Sequence, residues 1–188
     1  MKNILAASFL FAMTVLTGCT TFMYGGQTFN SEQEALAFQD KYLGAGVQAI
    51  QPASTKIGGI LKIYVPNEEV TRERGITGNK TGTVGDYIIK SYVADQRKLK
   101  EAFERRGSFD AVDLIFSNGQ HQTPAPPNHV LYLYLESTST LGWYYVGTKV
   151  PRTPVNYDRG TTNMGERYKF LVESVESLAM AEKIASKR

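Results

Sequence analysis

Cysteine is nearly missing from this chain, with one residue, Cys19, in 188. An internal disulfide framework is therefore excluded, and the fold has to be held by packing and polar contacts. Histidine is almost as scarce: His121 and His129 stand eight apart across a proline-rich stretch, with no second thiol and no carboxylate cluster beside them. A structural zinc site takes about four ligands, so the two read as loop histidines and no metal or cofactor is expected. An excess of one charge is lacking as well, since 21 Lys and Arg face 18 Asp and Glu for a formal +3. The basic residues are interleaved with acids, as in Lys98, Lys100, Glu101, Glu104 and Arg105. A nucleic-acid binder gathers its cations on one face or stripe, so no nucleic-acid partner is expected. Finally, no apolar run reaches the roughly 20 residues that cross a bilayer as a helix.

Signatures of common chemistry are also wanting. Gly75-Ile76-Thr77-Gly78-Asn79-Lys80-Thr81-Gly82 has the flavour of a phosphate-cradling loop, but only two residues separate its first glycines and Asn79 stands before the Lys-Thr pair. The P-loop requires four residues there and a glycine, so a mobile loop is the better reading. No Gly-x-Ser-x-Gly elbow occurs. Glu68 with Glu69, or Asp110 with Asp113, have the form of an acid/base pair, but near-adjacent acids arise by chance in most proteins and both fall on expected loops or strand edges.

The amino terminus is informative. Met1-Lys2-Asn3 supplies a positive start, and Ile4 to Leu16 is apolar except for Ser8 and Thr14. That is the form of an export signal. It ends in Leu16-Thr17-Gly18-Cys19, which resembles the lipobox of bacterial lipoproteins. The resemblance implies a diacylglyceryl group on the Cys19 sulfur, cleavage before Cys19, and acylation of the new amino terminus with a fatty acid such as palmitate. Each buried methylene contributes about 0.8 kcal/mol, so two or three chains make release negligible. Thr20 stands where Asp marks inner-membrane retention in Gram-negative lipoproteins, which implies an outer-membrane address if the source is Gram-negative. The competing reading is a secreted protein whose cysteine is coincidental. On this basis residues 1–18 are a signal peptide, 19–30 a lipid-anchored tether, and 31–188 one domain.

Ser31-Glu32-Gln33-Glu34 has capping-box form and opens a helix with Ala35, Phe38, Tyr42 and Leu43 at helical spacing. Gly44 and Gly46 are expected to end or weaken it. Ile57 to Val65 alternates as a strand closed by Pro66, and 66–85 reads as a long loop. From Asp86 a second helix carries the stripe Ile89, Val93, Gln96, Leu99 and Phe103, flanked by Tyr92 and Ala102, with Arg105, Arg106 and Gly107 at its end. A strand over Tyr87 to Val93 is the alternative. Ala111 to Phe116 and Val130 to Leu135 read as strands, the latter paired in a hairpin with Gly142 to Val150. A last helix covers Gly165 to Ser186. Three amphipathic helices with these strands predict a single-domain α/β sandwich: a four- to five-stranded mixed sheet packed by about three helices.

Tyr132, Tyr134, Trp143, Tyr144 and Tyr145 crowd into fourteen residues. Trp143 and Tyr145 share one face of the expected hairpin and Tyr144 takes the other, so these three are the candidate partner contact, with core filling as the competing role. Anchor, compact domain and aromatic hairpin together suggest a non-catalytic envelope protein that docks on a protein partner in an export, surface-assembly or cell-wall machine. The layout loosely resembles lipoproteins of the curli-channel and exopolysaccharide-export type. Two alternatives remain open: a lipid-anchored hydrolase of envelope polymers using carboxylates of 66–85, and a carrier of a small ligand in an apolar cavity.

Overall fold

The computed structural model describes residues 21–73, 83–117, 128–135, 141–155 and 163–187. A small hairpin comes first, β1 (Phe22–Tyr24) and β2 (Gln27–Phe29), turning through Gly25 and Gly26 at φ +58° and +77°. A two-residue turn of this hand matches the twist of the strands, and glycine takes it without steric cost. Helix α1 (Glu32–Gln48) follows, then β3 (Ile60–Pro66), the short α2 (Glu68–Glu73), α3 (Thr83–Arg106), β4 (Ala111–Ser117), β5 (Asn128–Leu135), β6 (Leu141–Val146), β7 (Thr153–Pro154) and α4 (Met164–Ala185).

The main sheet has the order β4-β3-β5-β6-β7. It is mixed: β3 runs parallel to both β4 and β5, whereas β5–β6 and β6–β7 are antiparallel. Leu61, Ile63 and Val65 of β3, Leu131 and Leu133 of β5, and Trp143 and Tyr145 of β6 lie on one face and join the core with Leu43 and Val47 of α1, Leu99 and Phe103 of α3, and Leu171 and Val175 of α4. The expected α/β sandwich is thus the observed one: a five-stranded mixed sheet with the three long helices packed on this face. The alternating residues Tyr64, Val130 and Tyr132 form a separate cluster with Ile115, Tyr144 and Val146. The expectation that both faces of β5 are bulky because it is central agrees with its place between β3 and β6.

Several boundaries differ from the sequence reading, each for a physical reason. Residues 22–29, expected within a tether, are a docked hairpin: Phe22 is buried edge-on against Tyr87, and the Tyr87 hydroxyl donates to the Met23 carbonyl at 3.2 Å. Strand β3 starts at Ile60 because Gly58 and Gly59, both at positive φ, interrupt the extended run. Within 66–85, expected to be loop, Asn67 turns the chain into α2, where the buried Thr71 hydroxyl donates to the Asn67 carbonyl at 2.6 Å. The segment Tyr87–Val93 is helical, so the strand alternative there falls. Gly107 closes α3 at φ +72° as expected.

The largest departure is at Gly44 and Gly46. Neither ends α1, which runs through both to Gln48. At Gly46 the first turn of α4 comes so close that an added Cβ would lie 3.0 Å from the Met164 Cβ and 3.2 Å from its backbone carbon. Reciprocally, a Cβ on Gly165 would meet the Ala49 Cβ at 2.9 Å. The glycine is there for a helix crossing, and its low helix propensity is overridden by that packing.

The two glycines therefore predict opposite outcomes. Gly44 has open space around a notional Cβ, so Gly44→Ala should stabilise the fold by about 0.4–1 kcal/mol through loss of unfolded-chain freedom. Gly46→Val should destabilise it by about 1–3 kcal/mol from overpacking. Urea denaturation of both variants measures the difference.

Candidate functional site

The hairpin turn, α1, α3 and the first turn of α4 enclose a cleft of about 450 Å³. Tyr24, Gly25 and Gly26 form one rim, and Tyr42 of α1 stands beside them. Helix α3 contributes Ile88, Ser91, Tyr92 and Asp95, residues one turn apart on its flank. Helix α4 contributes Met164 and Arg167. Each wall has a local cause. The rim is aromatic because Tyr24, Phe38 and Tyr42 pack together, with Tyr24 edge-on to Tyr42 at 5.9 Å and Phe38 stacked on Tyr42 at 5.9 Å. The α4 wall is set by Asn163, whose side chain accepts from the N–H groups of Gly165 and Glu166 and so starts the helix at this point.

Asp95 is the polar centre. Its Oδ1 accepts from the buried Tyr168 hydroxyl at 3.1 Å. Burial pushes its carboxyl above the ordinary value, against the opposing effects of the Tyr168 hydrogen bond and the Arg167 charge. Burial, and then the negative field of Asp95, likewise raise the Tyr24 and Tyr92 hydroxyls, so both remain protonated at neutral pH. The Ser91 Oγ and Tyr92 Oη are buried and take no hydrogen bond among the described residues, and the same holds for Gln39 Oε1 behind them. The Gln39 amide is oriented by donating from Nε2 to the Ser91 carbonyl at 2.7 Å.

The residues singled out from sequence lie elsewhere. Cys19, His121 and the Gly75–Gly82 loop fall outside the described residues. Trp143 is 6% exposed and Tyr145 fully buried, so these two are core residues and do not offer a contact surface on the folded chain. Their row faces the helices because β6 pairs Leu131 with Tyr145 and Leu133 with Trp143, the inward row of β5. Tyr144 points the other way, half-buried, stacked on Tyr132 at 5.6 Å with the exposed Arg152 guanidinium 4.0 Å above its ring. Glu68 and Glu69 are exposed beside an open depression of about 350 Å³, and Glu68 also borders one of about 390 Å³ with Asp40 and Glu101, where Lys90, Arg97 and Lys98 stand among the acids. Asp110 accepts from the Gly59 N–H at 2.7 Å and pairs with Lys56 at 3.2 Å, and these two contacts hold its carboxyl below the ordinary value. Asp113 is exposed on β4 opposite Lys62.

His129 is buried, its Nδ1 2.6 Å from the Tyr145 hydroxyl. Burial lowers its affinity for a second proton, only partly offset by the Glu182 charge. Burial raises Tyr145, which therefore keeps its proton and can donate it to Nδ1. Glu182 itself is held by a loop. Its oxygens accept from the backbone N–H groups of Thr148, Lys149 and Val150 at 2.6–2.9 Å and from the Thr148 hydroxyl. Burial works against its charge, but these hydrogen bonds outweigh that and hold the carboxyl below its ordinary value.

Sequence reading missed the cleft. The signal that was present is Asp95, an acid three residues after Tyr92 on the flank of an otherwise apolar stripe; nothing in the sequence brought Arg167 to it. Among the described residues no three His, Cys, Asp or Glu converge as a metal site, and no helix is long and apolar enough to cross a membrane. Compared with protein families, curated proteins and solved structures, the chain finds no match.

Two outcomes test these assignments. Trp143→Ala should cost about 3–5 kcal/mol of stability, as a buried aromatic truncation does, whereas Tyr144→Ala should cost clearly less; thermal melts compare them. For His129, the folded-state pKa lies below the unfolded value of about 6.5, so the unfolded chain takes the proton first. Stability is then full above that value and declines as pH falls below it, toward the folded pKa. Denaturation at pH 7.5 and 5.5 should show the decline, and His129→Gln should flatten it.

Proposed function

We propose that this chain is a bacterial lipoprotein: a leader is removed before Cys19, acyl chains on that residue hold the domain to a membrane, and the domain serves without catalysis as an accessory subunit of an export, surface-assembly or cell-wall machine. The observation that carries the reading is Leu16-Thr17-Gly18-Cys19 following an apolar leader. Its supporting context is the nearness of the fold. Only Thr20 and Thr21 separate Cys19 from Phe22, the buried first residue of β1. Three residue steps span at most about 10 Å, so a lipid at Cys19 would keep the hairpin close to the headgroups. Met23, 66% exposed on that hairpin, is an apolar side chain suited to such a position.

Attachment of this kind gives the domain an address and limits its reach to partners at the same surface. With Trp143 and Tyr145 withdrawn into the core, Tyr144 beneath Arg152 is the one of the three candidate contacts that a protein partner could meet. An arginine over an aromatic ring at a sheet margin is a common composition for interface anchors.

Cys19→Ala should shift the protein from the membrane fraction to the soluble one or stall it as an uncleaved precursor, read by fractionation and intact mass. An unaltered membrane distribution with no mass change would contradict the anchor.

A further inference from the structure

We infer that the outer face of the β1–β2 hairpin is a membrane-contacting surface, and that its partner is the headgroup region of a phospholipid bilayer. The inference rests on the lipoprotein reading and goes beyond it, because an acyl tether fixes where the chain is attached but not which side of the domain meets lipid. The tether is short. Cys19 and Phe22 are at most about 10 Å apart along the chain, so an acylated Cys19 leaves the hairpin at the bilayer surface.

One face of the hairpin is already taken. Register pairs Phe22 with Phe29, Met23 with Thr28, and Tyr24 with Gln27, and directly opposed residues of an antiparallel ladder share a face. Phe22 turns inward onto Tyr87 of α3, with ring centroids 5.1 Å apart. Tyr24 packs on Tyr42 of α1, and Phe29 on Phe38 of the same helix. Met23 and Thr28 therefore project from the opposite face, because successive side chains of a strand alternate. Both are exposed. At 66%, Met23 has the greatest exposure among the large hydrophobic side chains of the described residues.

No charge stands on this face. From Cys19 to Ser31 the chain has no Asp, Glu, Lys or Arg, although 21% of the whole is charged. Charged groups strongly resist transfer toward lipid, whereas hydroxyl, amide and thioether groups cost far less. The first acid beyond the hairpin, Glu32, belongs to α1 and is paired with Lys90 at 2.5 Å. A second copy of the chain is a poorer occupant: strands of three residues each offer far less than the roughly 800 Å² per partner that a stable protein interface buries. Lipid needs no such area here, because the acyl chains supply the affinity. The effect of the contact is orientation, since a single attachment point leaves the domain free to roll and a second one stops it.

Acylation consumes the thiol of Cys19, the only cysteine, so Met23→Cys puts the sole free thiol on the outer face. Ala185→Cys puts it instead about 30 Å along α4 from the cleft that the hairpin turn borders. Each full-length lipidated variant is spin-labelled in vesicles of phosphatidylethanolamine and phosphatidylglycerol, and collision with a water-soluble nickel chelate is read by electron paramagnetic resonance. The Met23 label should collide at least about threefold less than the Ala185 label, as a group sunk some way into the interface does. Added salt should leave that shielding in place, because no charge holds the contact. Thr28→Cys, across the ladder, should behave as Met23→Cys does and carries the test if the latter misfolds. Equal collision at both ends in protein whose intact mass confirms acylation, or shielding that salt abolishes, would overturn this inference alone. A mass without acyl chains would overturn the lipoprotein reading, and this inference with it.

Discussion

Where Gly46 of α1 meets Met164 and Gly165 of α4, backbone approaches backbone with no room for a methyl group. That contact decides the angle at which the C-terminal helix enters the fold, and much else follows from the entry point. It sets Tyr168 where its hydroxyl reaches Asp95 of α3, and it sets Arg167 one residue earlier on the wall of the cleft. Three helices that each contribute one apolar face to the sheet are thereby also tied to one another above it. Packing of this density tolerates little change in volume, which is why two residues with poor helix propensity are retained inside or at the start of helices.

Farther along α4, ionic groups take over the task that glycine performs at its start. Glu176 accepts from the Arg106 guanidinium at 2.9–3.1 Å through Nε and the terminal nitrogen, and from the Ser108 hydroxyl. Arg106 also donates to the Gln51 carbonyl, and Arg105 to that of Ile50. One turn and a half later, Glu182 fills a nest of three backbone N–H groups after β6. A Cβ on Gly147 would run into this carboxylate, so a larger residue there would displace the Glu182 side chain. These are charge-assisted contacts with several donors each, the geometry in which a partly buried acid contributes more than a surface ion pair. The anchored length of α4 thus bridges the cleft at one end and the margin of the sheet at the other.

The consequence for function is a division of surfaces. Within the aromatic concentration, Trp143 and Tyr145 fill space between sheet and helices while Tyr132 and Tyr144 pack on the opposite face, and a less conspicuous set of polar groups surrounds the cleft. Asp95 is costly where it sits, because burial disfavours its charge. Beside it, the Ser91 and Tyr92 hydroxyls find no partner among the described residues, so the fold gives up stability at that place.

Periodicity alone was sufficient for the helices and the central strands. The stripe Ile89–Phe103, the Ser31 cap and the alternation Leu131–Leu133 against Tyr132 are local patterns, and burial faces follow from them because side-chain direction repeats with each element's own period. The expected α/β sandwich rested on those patterns, and the proposed leader ending at Cys19 rests on a separate local motif. The sequence could not say which way the row containing Trp143 and Tyr145 faces, since both rows of the hairpin are bulky and only its register with β5 chooses between core and solvent. Nor could it say that Gly46 belongs to a helix crossing, that Glu182 closes a loop more than thirty residues away, or that Asp95, Tyr92 and Arg167 share a cleft. Those facts depend on distances between elements remote in the chain, and no local spacing encodes a distance that only packing creates.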